Sequence, residues 1–186
     1  IGRYAFDGCP NLEQVTFRDE ADRAEGVEIE LYAFRDCARL EAISIPLGED
    51  SVIRQNAFVG CTGMKRADLG NGVRRILSGA FEGCTGLEAV TLSDGLTEID
   101  ERAFAGCTAL QALQLPGSLT SIGDSAFQGC TGLISVEHTG TRSERLKMGI
   151  YAFAGCTSLK EFSYPEYSTA VVASAFSGCT ALERVT

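Results

Sequence analysis

The apolar positions of this chain return on one fixed schedule. Eight cysteines, Cys9, Cys37, Cys61, Cys84, Cys107, Cys130, Cys156 and Cys179, are each preceded by Phe three residues earlier and by Ala four residues earlier. Successive cysteines are 28, 24, 23, 23, 23, 26 and 23 residues apart, so the unit is about 23 residues, a period that marks a stacked solenoid. Counting from Cys84 in the unit Ala80 to Asp100, Leu87, Val90 and Leu92 stand three, six and eight positions on. Down the chain the sixth position holds Val15, Ile43, Ala67, Val90, Leu113, Val136, Phe162 and Val185. Its alternation with polar residues predicts a short, half-buried strand.

Eight positions before each cysteine runs a second column, Ile1, Ile29, Ile53, Ile76, Ile99, Ile122, Met148 and Val171. It predicts a second, shorter strand in every coil. Between that strand and the cysteine lies a corner, expected to hold one helical turn, with Gly83, Gly106 and Gly129 supplying the positive φ of a tight bend. When coils stack at about 4.8 Å, like residues superpose. Phe6, Phe34, Phe58, Phe81, Phe104, Phe127, Phe153 and Phe176 then form one aromatic spine.

Length and composition alone would allow one or two globular domains, since 186 residues with 45% hydrophobic content can bury a sizeable core. The repetition overrides that prior and predicts a single solenoid over residues 1–186, about eight repeats with no internal linker, both ends falling inside a repeat. Such open ends are expected to continue into further repeats or to pack on neighbours. Net charge is −9, from 25 acidic and 16 basic residues. With no basic block, nucleic acid and anionic membrane are excluded as partners. No run of 18 apolar residues predicts membrane insertion, and no secretion leader is visible.

The unit A-F-x-G-C-T-x-L-x-x-V-x-L-P-x-x-L-x-x-I-G, met nearly throughout from Ala103 to Gly123, resembles the BspA-like, or Treponema-type, leucine-rich repeat. The resemblance covers essentially the whole chain, with His138 and Ala67 standing where a larger aliphatic residue is usual. It implies a right-handed parallel β horseshoe with one sheet on the concave side, short second strands on the convex side, and little helix. It also implies a protein-interaction role. Many members are secreted or surface-displayed adhesion proteins, and others occur in protists.

Eight cysteines in register invite disulfides, but like side chains from stacked coils point the same way, which disfavours the near-90° torsion of a bridge. The column reads first as buried free thiols acting as small apolar filler, with some disulfides as the alternative. No C-x-x-C or Cys/His cluster supplies metal-ligand geometry, and no cofactor is implied. His138, the one histidine, has no nucleophile or carboxylate pair at a defined spacing, so the chain is not read as an enzyme.

A partner would meet the outward strand positions, which lie four, five and seven after each cysteine and form a mixed polar face that includes Lys65 and Arg66. Insertions all fall between the first strand and the Ile column, hence on one edge. One insertion, 18–28, has net charge −3 and contains Asp19, Glu20 and Asp22; the other, 139–147, has net charge +2 and contains Arg142, Arg145 and Lys147. These residues with Lys65 and Arg66 are the expected contact edge for a protein partner. The leading expectation is a non-enzymatic adhesion or ligand-binding array, extracellular or at the cell surface. The alternative is a structural or assembly subunit of a larger complex, intracellular in a eukaryotic microbe.

Overall fold

Two strands per coil, joined by a glycine-containing corner, build the computed structural model, which describes residues 1–17, 26–46, 48, 50–139, 146–163 and 172–186. In chain order the strands are β1 (Glu28–Ile29), β2 (Ala42–Ser44), β3 (Ser51–Ile53), β4 (Arg66–Asp68), β5 (Val73–Ile76), β6 (Ala89–Thr91), β7 (Glu98–Ile99), β8 (Ala112–Pro116), β9 (Ser121–Ile122), β10 (Ser135–Thr139), β11 (Lys147–Met148), β12 (Glu161–Phe162) and β13 (Arg184–Val185). The odd strands from β1 to β11 form one six-stranded parallel sheet, in which Ile29, Ile53, Ile76, Ile99, Ile122 and Met148 lie over one another. This is the expected second column. Val171 and the insertion residues Asp19, Glu20, Asp22, Arg142 and Arg145 lie outside the described residues.

The leucine-bearing strands form a second parallel layer, and here the expectation of one continuous sheet needs correction. They fall into two blocks, β2-β4-β6 and β8-β10-β12-β13. Elsewhere the strand starts are tied by short bonds, such as Lys65 N–H to Glu41 C=O at 2.7 Å, Glu88 N–H to Lys65 C=O at 2.9 Å and Ile134 N–H to Gln111 C=O at 2.8 Å. Between β6 and β8 the equivalent bond, Gln111 N–H to Glu88 C=O, stretches to 3.4 Å. At the strand ends, Ile45 N–H reaches Asp68 C=O at 2.8 Å and Leu69 N–H reaches Thr91 C=O at 3.1 Å, while Leu92 forms no such bond with Gln114. The two strands part toward their C-terminal ends.

The corner is not a helical turn, because it must bond to the next coil as well as to itself. Its amides alternate in direction. In one coil Ala80, Glu82 and Cys84 donate back three residues to Leu77, Gly79 and Phe81, while Gly79, Phe81 and Gly83 donate across to Glu101, Ala103 and Ala105 of the next coil. A helix would aim every amide along its own axis and leave the coils untied. The alternating pattern requires φ > 0 at two positions per coil, one and five before the cysteine. Glycine fills the first in seven coils and Asp36, at φ 56°, in the other. The second is mostly non-glycine, for example Asn56 (54°), Arg102 (54°) and Ser125 (55°).

Inside, the aromatic spine is present as expected. Ring centroids from Phe6 to Phe153 are spaced 4.9 to 5.2 Å with planes within 10° of parallel, and Phe176 follows at 5.7 Å. Offset stacks of this kind add about 0.5–1.5 kcal/mol per pair beyond area burial. Ile, Leu and Cys columns flank the rings and are closed to solvent in the central coils. All eight cysteines are free thiols, but they are more than filler. The seven from Cys37 onward each donate to the carbonyl oxygen of the preceding coil's Phe, as in Cys61 to Phe34 at 3.0 Å and Cys84 to Phe58, Cys107 to Phe81 and Cys130 to Phe104 at 3.2 Å.

Candidate functional site

The outward face of the leucine strands carries the side chains that sequence reasoning assigned to it. At the fourth and seventh positions Glu41, Lys65, Glu88, Gln111 and Asp68, Thr91, Gln114, Glu137 are all exposed, while Ile43, Ala67, Leu113 and Val136 between them are buried. The strand pleat dictates this alternation. Lys65 and Arg66 therefore sit together at the start of β4, facing solvent. Lys147 does not join them. It lies in β11, paired in register with Ser121 on the other sheet.

Charge is organised differently on the two layers. On the second sheet arginines meet carboxylates of adjacent coils: Arg54 with Glu28 at 2.7 Å, Arg75 with Glu98 at 2.6 Å and Arg74 with Asp50 at 3.3 Å. Hydrogen bonding from Arg54 holds the Glu28 carboxyl below its usual range. At the corner Arg35 grips Asp7 through two 2.7 Å bonds and lies over the Tyr32 ring, and Arg102 pairs with Glu82. On the leucine face, Glu13–Arg39 and Glu161–Arg184 are the pairs near the ends. Among the described residues, Lys65, Arg66, Glu88, Asp94 and Glu137, in the middle coils, make no ion pair.

Sequence reasoning missed one feature of this face. Where β6 and β8 part, a cavity of about 340 Å³ opens, bordered by Val90, Thr91, Leu92, Asp94, Ala112, Gln114, Pro116 and Thr139. Two alanines on adjacent coils, Ala89 and Ala112, leave the surrounding face low. That run of small residues, followed by Pro116, was the available signal. His138 lies next in register to Leu115 and is half-buried; burial pushes its imidazole pKa down, which keeps it neutral. Among the described residues, no group of three His, Cys, Asp or Glu is placed to hold a metal ion, and no helix is long and apolar enough to cross a membrane.

Comparison with known proteins agrees with this geometry. The family model for the BspA type leucine rich repeat region matches in six copies over residues 1–92, 27–144 and 133–186. No curated protein matches the chain. Among solved structures, a leucine rich repeat protein of T. pallidum is 29% identical with a TM-score of 0.65, over 86% of this chain and 71% of that one. A leucine-rich repeat protein from Bacteroides ovatus is 28% identical with a TM-score of 0.55, over 85% of this chain and 50% of that one. A leucine rich cell surface protein from Faecalibacterium prausnitzii shares the fold at 22% identity and a TM-score of 0.50, over 87% of this chain and 72% of that one. With all of its coils falling inside the matched segments, the chain belongs to the BspA-type leucine-rich repeat family.

Proposed function

We propose that this chain is a non-enzymatic protein-binding module whose contact surface is the outward face of the leucine strands in the middle coils. One observation carries the reading: that face retains charges no neighbouring coil neutralises, Lys65, Arg66, Glu88 and Glu137, whereas Arg54, just after β3, and Arg74 and Arg75 of β5 are matched within the molecule. Unmatched charges cost little in water and are available to orient a partner and speed its encounter. The insertion residues Asp19, Glu20, Asp22, Arg142 and Arg145 are proposed as further contacts for the same partner, whereas Lys147, on the second sheet, is not. Family likeness supports a place outside the cell or on its surface, where such a module would serve in adhesion.

The test is co-purification of the native partner with the full-length protein. Lys65→Glu with Arg66→Glu, and separately Arg142→Glu with Arg145→Glu, should reduce capture. Arg75→Glu, on the second sheet, should leave it intact. Equal capture by all variants would remove the leucine face from the reading. Protease treatment of intact cells should release fragments of the protein; complete protection would argue against surface display.

A further inference from the structure

We propose that the cavity between β6 and β8 is a receptor for one arginine side chain presented by the partner protein. The inference rests on the reading of the leucine face as the contact surface and names the chemistry at its centre.

Three observations converge on this place. The strand ladder is interrupted here and not at its neighbours, so the C=O of Gln114 and the N–H of Leu92 are not joined as Thr91 C=O and Leu69 N–H are. Both residues border the cavity, so their unjoined peptide groups are available to an incoming chain. An incoming side chain that displaces water here must supply partners to these groups, since a desolvated backbone group left without one is costly. The cavity volume, about 340 Å³, exceeds what one long side chain needs and leaves room for a few waters.

The lining selects the ligand's charge and shape. Asp94 contributes a carboxylate with no ion pair among the described residues, and Asp68 and Glu137, in register with the lining residues Thr91 and Gln114, are likewise without a cationic partner. Leu92, Val90 and Pro116 provide an apolar wall. A guanidinium fits both parts: its fork of five N–H donors can bridge the Asp94 carboxylate and the Gln114 carbonyl, while its three-carbon stem and flat face rest on Pro116 and Leu92. Lysine offers a point charge without the planar face. Arg74 donates to the Gly95 carbonyl next to Asp94 but is paired with Asp50, and Lys65 and Arg66 sit at the opposite end of the strands, so the side chain enters from the acidic end.

The experiment uses the blocked tripeptide acetyl-Gly-Arg-Gly-amide as probe, read by amide chemical shifts of the full chain. Saturable shifts are expected at Thr91, Leu92, Gln114 and Thr139, with a dissociation constant of about 1 mM, the scale a single anchored side chain supplies. Asp94→Asn should weaken binding about tenfold, since it removes the charge from a charge-assisted bond. Ala112→Leu, an exposed substitution that narrows the cavity, should abolish it. The norleucine analogue should not bind. Failure to saturate, shifts elsewhere on the molecule, or binding unchanged in Asp94→Asn would each overturn the proposal. If the peptide fails while Lys65→Glu with Arg66→Glu still releases the native partner, the arginine receptor falls and the binding face stands. If the peptide binds but those reversals leave partner capture intact, the reading of the face is what fails.

Discussion

The thiol of Cys107 donates to the carbonyl oxygen of Phe81, 26 residues earlier and one coil away, at 3.2 Å. That oxygen already accepts from the Cys84 amide, also at 3.2 Å, so both of its lone pairs are used and each coil is tied to the next by a side chain as well as by backbone. If the thiol acts as a donor and not only as volume, serine should replace it better than alanine. Cys107→Ala should cost about 1–2 kcal/mol, from the lost sulfur volume and one lost bond. Cys107→Ser, which keeps a donor, should lie between alanine and wild type in denaturant unfolding. A serine variant less stable than the alanine variant would show that the column values sulfur for bulk alone.

Burial has a consequence for alkaline stability. It pushes the thiols of Cys84 and Cys130 up to about 12, and those of Cys61 and Cys107 well upward too, against a usual 9.0. In the unfolded chain these groups ionise near their usual value, whereas in the folded chain they stay protonated. Stability is therefore complete below about pH 9 and falls as pH rises toward 12, by roughly 1.4 kcal/mol per buried thiol for each pH unit. Urea midpoints measured at about pH 8 and about pH 10.5 should differ strongly. Replacing Cys84 and Cys130 by Ala should lower the first midpoint yet make the decline shallower. The same slope with and without those two thiols would assign the alkaline loss to other groups.

The columns were legible in the sequence because a stacked fold repeats its environment, so each coil votes for the same position. Phe, Ile, Leu and Cys could all be placed from spacing, and Thr91 and Gln114 could be assigned to the outward face from the strand period. The corner was misjudged because alternating backbone direction leaves its mark in φ at Tyr32, Arg102 and Ser125, residue types that give no sign of a left-handed conformation. The opening between β6 and β8 was missed for a different reason. It breaks the repetition, and a reading built on what the coils share is blind to where two of them part.

The aromatic spine sets how cooperatively the coils unfold. Phe104 is closed to solvent and lies between Phe81 at 5.0 Å and Phe127 at 5.2 Å, both nearly parallel to it. Phe104→Ala removes two stacking contacts and opens a void that backbone bonds on both sides prevent from collapsing. The expected loss is about 3–5 kcal/mol. Because each coil contacts only its neighbours, amide exchange should quicken first in the coils on either side of the void. A loss below about 1 kcal/mol would mean the ring carries little of the core.

Asp36 is the one residue other than glycine at the left-handed position before a cysteine, with φ 56° where Gly83 has 71° and Gly106 has 74°. An L-residue held there costs about 1–2 kcal/mol, less for Asp, and glycine's extra freedom in the unfolded chain takes back part of any relief. Asp36→Gly should therefore raise stability by about 0.5–1 kcal/mol, since its side chain is exposed and its 4.0 Å approach to Arg35 is worth little. The converse substitutions sharpen the point. A methyl group on Gly83 meets nothing nearer than Gly60 N at 3.9 Å, so Gly83→Ala reports backbone strain alone, whereas a methyl group on Gly60 collides with the Asp36 carboxylate. Gly60→Ala should cost more than Gly83→Ala in the wild-type chain, and that difference should shrink once Asp36 is glycine. Additive effects of Gly60→Ala and Asp36→Gly would show that the carboxylate swings aside at no cost.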